Sequence, residues 1–199
     1  KGPVVEPFSP GRGSVGGADS FGLSVSISGD TVVVGAPSED SDAAGINGDP
    51  NNDNLKHAGS AFVFVRNGTV WTQQAFLKAS NPGIDDNFGG SVAISGNTAI
   101  VGAYGEGSDA TGVNGDQNND NAANSGAAYV FTRDGTTWTQ QAYLKASNTE
   151  TGAASDSFGY SVAISGNTAI VGAPFEGSNA TGVNGDRDND MALGAGAAY

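Results

Sequence analysis

Three acidic loops hold the residues best suited to chemistry. Asp49, Asn51 and Asp53 occupy alternate positions in one loop, and the spacing returns as Asp116, Asn118, Asp120 and as Asp186, Asp188, Asp190. Oxygen groups at the first, third and fifth positions open a calcium loop. Alternate residues of a curled segment can aim at one centre, and Ca2+ accepts ~6–8 oxygens. These nine residues are the candidate metal ligands, and Ca2+ is the expected cofactor. The third set carries the most charge, because Asp188 replaces an amide. Glu39, Glu106 and Glu176 open the same loops and are placed to close a ligand shell. The bidentate Glu that ends an EF-hand is absent. A solvated, turn-rich loop is the competing reading, since Asn, Asp and Gly favour turns without any metal.

Other chemistry is scarce. The chain has no Cys and one His, which removes thiolate sites, disulfides and any pair of imidazoles. His57 falls in the first loop where the later copies have Asn124 and Gly194, so a solvated loop histidine is expected rather than a catalytic one. Asp19, Asp86 and Asp156 each precede a Phe-Gly pair by two residues and are read as turn caps, with a metal role as the alternative. Nucleophile-elbow, phosphate-loop and His-Glu helix motifs do not occur. No catalytic residue is assigned, and the expectation is a non-enzymatic protein. The net charge of −13 repels phosphates, so neither nucleic acid nor anionic lipid is expected as a partner. No run approaches the ~20 apolar residues of a membrane helix. The acidic surface, rich in Gly, Asn, Ser and Thr, suits an extracellular or cell-surface bacterial protein. Asn67-Gly68-Thr69 and Asn179-Ala180-Thr181 are short glycosylation sequons.

The loops need a frame, and an internal repeat supplies it. Phe21-Gly22-Leu23-Ser24-Val25 returns as Phe88-Gly89-Gly90-Ser91-Val92 and as Phe158-Gly159-Tyr160-Ser161-Val162. Repetition implies stacked copies of one unit. In the second copy Ser91-Val92-Ala93-Ile94 alternates with period two, turns at Gly96-Asn97, and returns through Thr98-Ala99-Ile100-Val101. The acidic loop follows, then a strand at residues 127–132, a hairpin at Asp134-Gly135 (Asn67-Gly68 in the first copy), and a fourth strand at residues 138–144. Four antiparallel strands per copy describe a β-propeller blade, so the fold class is all-β with three such repeats. The organisation reads as an N-terminal segment over 1–18, then repeats over 19–86, 87–156 and 157–199, the last lacking its fourth strand. Trp71 and Trp138 sit at equivalent positions. They are expected to pack between sheets, with a sugar-stacking platform as the alternative.

Phe21-Gly22 with Gly35-Ala36-Pro37, Phe88-Gly89 with Gly102-Ala103, and Phe158-Gly159 with Gly172-Ala173-Pro174 resemble the FG-GAP repeat, the blade type of the integrin α-subunit propeller and of bacterial surface proteins. Tyr104 stands where the other copies have Pro. The resemblance implies a propeller-like fold, calcium loops and a role in adhesion or surface architecture. In integrins the calcium motif occupies the hairpin between the first two strands. Here that hairpin is too short, which moves any metal to the long loop. Residues 3–8 stand in the place of a fourth strand from a preceding blade. Its donation to the third repeat of a neighbour would give head-to-tail self-association, a ring or a filament. Further blades of a longer chain would satisfy the same edges. A lectin-like, glycan-binding propeller is the second functional expectation, and a propeller hydrolase the third.

Overall fold

The computed structural model describes residues 18–149 and 155–199. The strand expected at residues 3–8 lies outside them. Among the described residues eleven strands form three antiparallel meanders. The first sheet holds β1 (Ser24–Ser28), β2 (Thr31–Ala36), β3 (Ser60–Asn67) and β4 (Val70–Leu77). The second holds β5 (Phe88–Ser95), β6 (Thr98–Ala103), β7 (Ala127–Asp134) and β8 (Thr137–Leu144). The third holds β9 (Ser161–Ser165), β10 (Thr168–Ala173) and the short β11 (Ala197–Ala198). The described residues contain no helix, in keeping with the absence of 3.6-residue apolar periodicity.

Turn chemistry sets the register. Ser28 pairs with Thr31 and Ser95 with Thr98, leaving two central residues of which only Gly29 and Gly96 have positive φ, 58° in each. Glycine at the first central position is the II′ pattern, which matches strand twist. The β3–β4 and β7–β8 hairpins correct the sequence reading by one residue. Asn67 and Asp134 are the last strand residues, paired with Val70 and Thr137, and Gly68 and Gly135 take the first central place. Both hairpins shift register, between Val63 and Phe64 and between Val130 and Phe131.

Alternation on the first strand of each sheet decides how the sheets stack. Ser24, Ser26 and Ser28 face the second sheet. The Ser24 hydroxyl donates to the Gly89 carbonyl at 2.7 Å, and Ser26 and Ser28 accept from the Ile94 and Gly96 amides at 3.2 and 3.0 Å. Ser91 repeats the contact to the Gly159 carbonyl at 2.7 Å. Val92 and Ile94 point the opposite way, into a core shared with Val33, Val63 and Leu77 of the first sheet and Tyr129, Phe131 and Trp138 of the second. On the other face of the second sheet, Ile100 and Ala128 meet Phe158, Val171 and Ala173. The strands β1 and β5 thus send hydroxyls to the next sheet, and β5 and β9 send apolar side chains to the previous one.

The two recurrent glycine motifs lock together at these joints. A Cβ on Gly35 would lie 2.0 Å from the Gly89 carbonyl oxygen, and one on Gly102 would lie 1.9 Å from that of Gly159. Only a bare backbone admits so close an approach. Gly59 and Gly126 form parallel bridges to Phe88 and Phe158. Phe88, fully buried, meets Tyr129 edge-on at a ring separation of 5.3 Å.

Candidate functional site

The acidic loops begin where β2, β6 and β10 end, and each opens with a buried glutamate. Glu39 is paired with Lys78 at 2.8 Å and Glu106 with Lys145 at 2.7 Å, all four side chains essentially withdrawn from water. The second ammonium also donates to Ser125 Oγ at 2.6 Å, and the first to the Ser41 carbonyl at 2.8 Å. Burial lowers the pKa of both lysines, and the facing glutamates oppose that shift. Glu39 and Glu106 are therefore the anions of buried ion pairs. Sequence reasoning missed the lysines. Their signal was the identical Leu-Lys-Ala-Ser after β4 and β8.

A network from the preceding repeat completes this site. Asn81, between β4 and β5, donates to Glu106 Oε1 at 3.0 Å and to the Gln117 carbonyl at 2.9 Å, and accepts from the Tyr129 hydroxyl at 2.7 Å. Ser108 Oγ and the Tyr143 hydroxyl are hydrogen-bonded at 2.5 Å. In the first repeat Phe76 replaces that tyrosine, and Ser41 Oγ is left without a partner. The third repeat reproduces the network through Asn148, which bonds Glu176 Oε1 at 3.0 Å, the Arg187 carbonyl at 3.1 Å and the Tyr199 hydroxyl at 2.5 Å. Ser178 donates to Glu176 Oε2 at 3.0 Å.

Beside each glutamate lies the aspartate that precedes Phe-Gly. Burial pushes Asp86 up to about 7; the Gly83 amide, donating at 2.7 Å, opposes this and the charges of Glu106 and Asp120 add to it. Asp156 and Asp19 are raised for the same first cause, with Glu176 and Glu39 as the main neighbouring charges. The turn-cap reading of Asp86 holds in the Gly83 bond. Asp85, Asp86 and Asp120 line an open cleft of about 580 Å³ between the first two repeats.

In each acidic triplet the first residue is engaged in a local turn with the third. Asp49 Oδ1 accepts from the Asn51 backbone at 3.0 Å and from its side-chain amide at 2.7 Å, and the backbone bond holds the Asp49 carboxyl below its ordinary pKa. Asp116 and Asn118 repeat both bonds, while Asp186 accepts from the Asp188 amide at 3.2 Å. One carboxylate oxygen of the motif's first residue is thus engaged in a local turn in all three copies. The charges of Asp53, Asp120 and Asp190 instead act on Asp19, Asp86 and Asp156, whose pKa values they help to raise. Among the described residues no three carboxylate or imidazole groups are placed to hold a metal ion.

His57 holds a left-handed backbone, φ 50°, at the position where Asn124 and Gly194 have φ 57° and 69°. Its Nδ1 lies 2.8 Å from Asp85 Oδ1 on the exposed rim. Trp138 is buried, donates to Gln74 Oε1 at 2.9 Å, and carries the Arg133 guanidinium over its ring, which leaves no open face for a sugar. Trp71 is half-buried beneath Arg66.

A family model of the FG-GAP repeat matches residues 15–64, 71–131 and 138–199. No curated protein matches the chain. The matched stretches are offset from the sheets by one strand, the first running from β1 into β3, the second from β4 into β7 and the third from β8 to β11, and each includes one Phe-Gly and one Gly-Ala corner.

Proposed function

The chain belongs to the FG-GAP repeat family, and on that premise we propose that it is a non-catalytic, extracellular β-propeller module for adhesion or surface architecture that self-associates head to tail. One observation carries the reading: the outermost faces are the two halves of the joint that the chain builds internally. Val25 and Ile27 on β1 are 66% and 64% exposed, whereas their equivalents Val92 and Ile94 are 8% and 6% exposed inside the first joint. At the other end, Ser161 and Ser165 on β9 present the hydroxyl row that Ser24 and Ser28 send into the first joint. Ile170 is 52% exposed where Ile100 is fully buried. An open cleft of about 490 Å³ lined by Gly172, Ala173 and Gly196 stands where the next Phe-Gly corner enters in the inner joints. A heterologous contact of this kind propagates into a ring or a filament.

Sedimentation and electron microscopy test the proposal. Assemblies that grow with concentration are expected, and Ile27→Asp, outside every internal joint, should return monomers. A wild-type chain that stays monomeric at high concentration overturns it and assigns the two faces to further blades of a longer chain. Calcium stabilisation belongs to the same reading. It requires the Asp49–Asn51 turn and its copies to open, so that their oxygens face the loop interior.

A further inference from the structure

The ion pair buried in the second repeat has a third member. Lys145 Nζ donates to Glu106 Oε2 at 2.7 Å, and Asn81 Nδ2 donates to Oε1 of the same carboxylate at 3.0 Å. An amine and a carboxamide are thus held by the two oxygens of one glutamate. The carboxamide is fixed in orientation, because Nδ2 also donates to the Gln117 carbonyl at 2.9 Å and Oδ1 accepts from the Tyr129 hydroxyl at 2.7 Å. Lys145, Glu106 and Tyr129 are buried. Asn81 is half-buried and is followed by Pro82 and Gly83, which line the cleft between the first two repeats.

Each group suits a step of amide transfer. An amine attacks a carbonyl carbon only in its neutral form, which burial favours at Lys145. Glu106 lies within hydrogen-bond reach of both nitrogens, where a general base that becomes a general acid must sit. The Tyr129 hydroxyl already points at the oxygen on which negative charge would develop. The first repeat offers a contrast. Among the described residues Glu39 holds Lys78 through Oε2, but its Oε1 accepts the Ser41 backbone amide at 3.2 Å, where no carboxamide stands.

We propose that Lys145 and Asn81 join in an intramolecular isopeptide bond, with Glu106 carrying the protons. The ammonium passes one proton to Glu106, and Nζ then attacks Asn81 Cγ, sending the carbonyl electron pair to Oδ1 beneath the Tyr129 hydroxyl. Glu106 delivers its proton to Nδ2 and takes a second one from Nζ. The carbonyl re-forms as the Cγ–Nδ2 bond breaks, and ammonia leaves with the proton that Glu106 then gives up. Nothing is oxidised or reduced. The new bond ties the segment before β5 to the segment after β8, so the second sheet is closed covalently from end to end. It restricts the unfolded chain as a disulfide would, in a sequence that has no Cys.

Mass spectrometry of the full chain, folded and then denatured, tests this. The wild type should weigh one ammonia less than its sequence. Trypsin should fail to cut after Lys145 and release a branched peptide joining residues 79–133 to residues 134–187. Asn81→Ala should restore both the full mass and the cleavage. Glu106→Gln, which keeps both reacting groups, should do the same, whereas Glu106→Asp should regain the bond more slowly. A wild type of full mass overturns the proposal. So does an ammonia deficit without the branched peptide, which assigns the loss to a succinimide at an Asn-Gly pair such as Asn114-Gly115. A branched peptide in Glu106→Gln removes Glu106 from the reaction. The wild-type digest decides the bond itself even where a variant folds poorly.

Discussion

Two charged side chains buried together are costly to bring out of water, and the Glu106–Lys145 pair persists because every polar atom around it is answered. Its oxygens meet Asn81, Ser108 and the ammonium, and the ammonium also meets Ser125. Removing one partner is therefore worse than removing both. Lys145→Met should cost about 3–5 kcal/mol in urea unfolding, and adding Glu106→Leu should recover a large part of it. A double variant no more stable than the single one would show that the pair acts through its hydrogen bonds alone. Asp86 makes a separate, pH-dependent contribution. Its folded pKa, about 7, lies above its ordinary value of 3.8, so the folded state holds the proton more tightly. The stabilisation is complete below the ordinary value and is lost as pH rises through about 7. Between pH 5 and pH 8 the wild type should lose about 2 kcal/mol that Asp86→Asn retains, measured by urea midpoints at both pH values. Parallel pH profiles for the two proteins would refute it.

Strands and joints follow from different kinds of signal. Period-two alternation with Gly at the turns located the hairpins, because side-chain period and positive φ are local properties. The joint between sheets is also written locally, but in glycines rather than in apolar side chains. Gly102 and Gly159 matter for what they lack. Gly102→Ala would force its Cβ into the Gly159 carbonyl and the Ser91 hydroxyl, and backbone there cannot yield without parting the sheets. A loss of about 3 kcal/mol is expected, with faster proteolysis between the second and third sheets; an unchanged melting temperature would show that the joint is loose. The acidic loops were harder to read. Alternate Asp and Asn suit both a calcium shell and a run of Asx turns, and the choice rests on whether Asn51 turns its oxygen or its amide toward Asp49. Nor does spacing reveal a buried lysine. Lys78 and Lys145 stand just past a strand, where a solvated cation is the ordinary case, and only the tertiary closure of the loop over them withdraws them from water.

Stacking the repeats places their acidic loops side by side along one rim. Asn81 reaches the carbonyl of Gln117 in the next loop, and Asn148 reaches that of Arg187. Each added repeat therefore extends a row of carboxylates on a molecule whose net charge is already −13. Self-repulsion along such a rim opposes the compact state and any longer assembly. Salt relieves it only by screening, whereas a cation bound by the loops relieves it at the site and favours the folded state by mass action. The two differ in selectivity. Millimolar Ca2+ should raise the melting temperature by several degrees in a chelator-reversible way, well beyond NaCl of equal ionic strength. Asp53→Asn, Asp120→Asn and Asp190→Asn together should erase the difference between the two salts, since the charges of these carboxylates act on Asp19, Asp86 and Asp156. If NaCl matches Ca2+ in the wild type, the rim is an electrostatic surface without a bound ion, and the Asx turns are the working form of the loop.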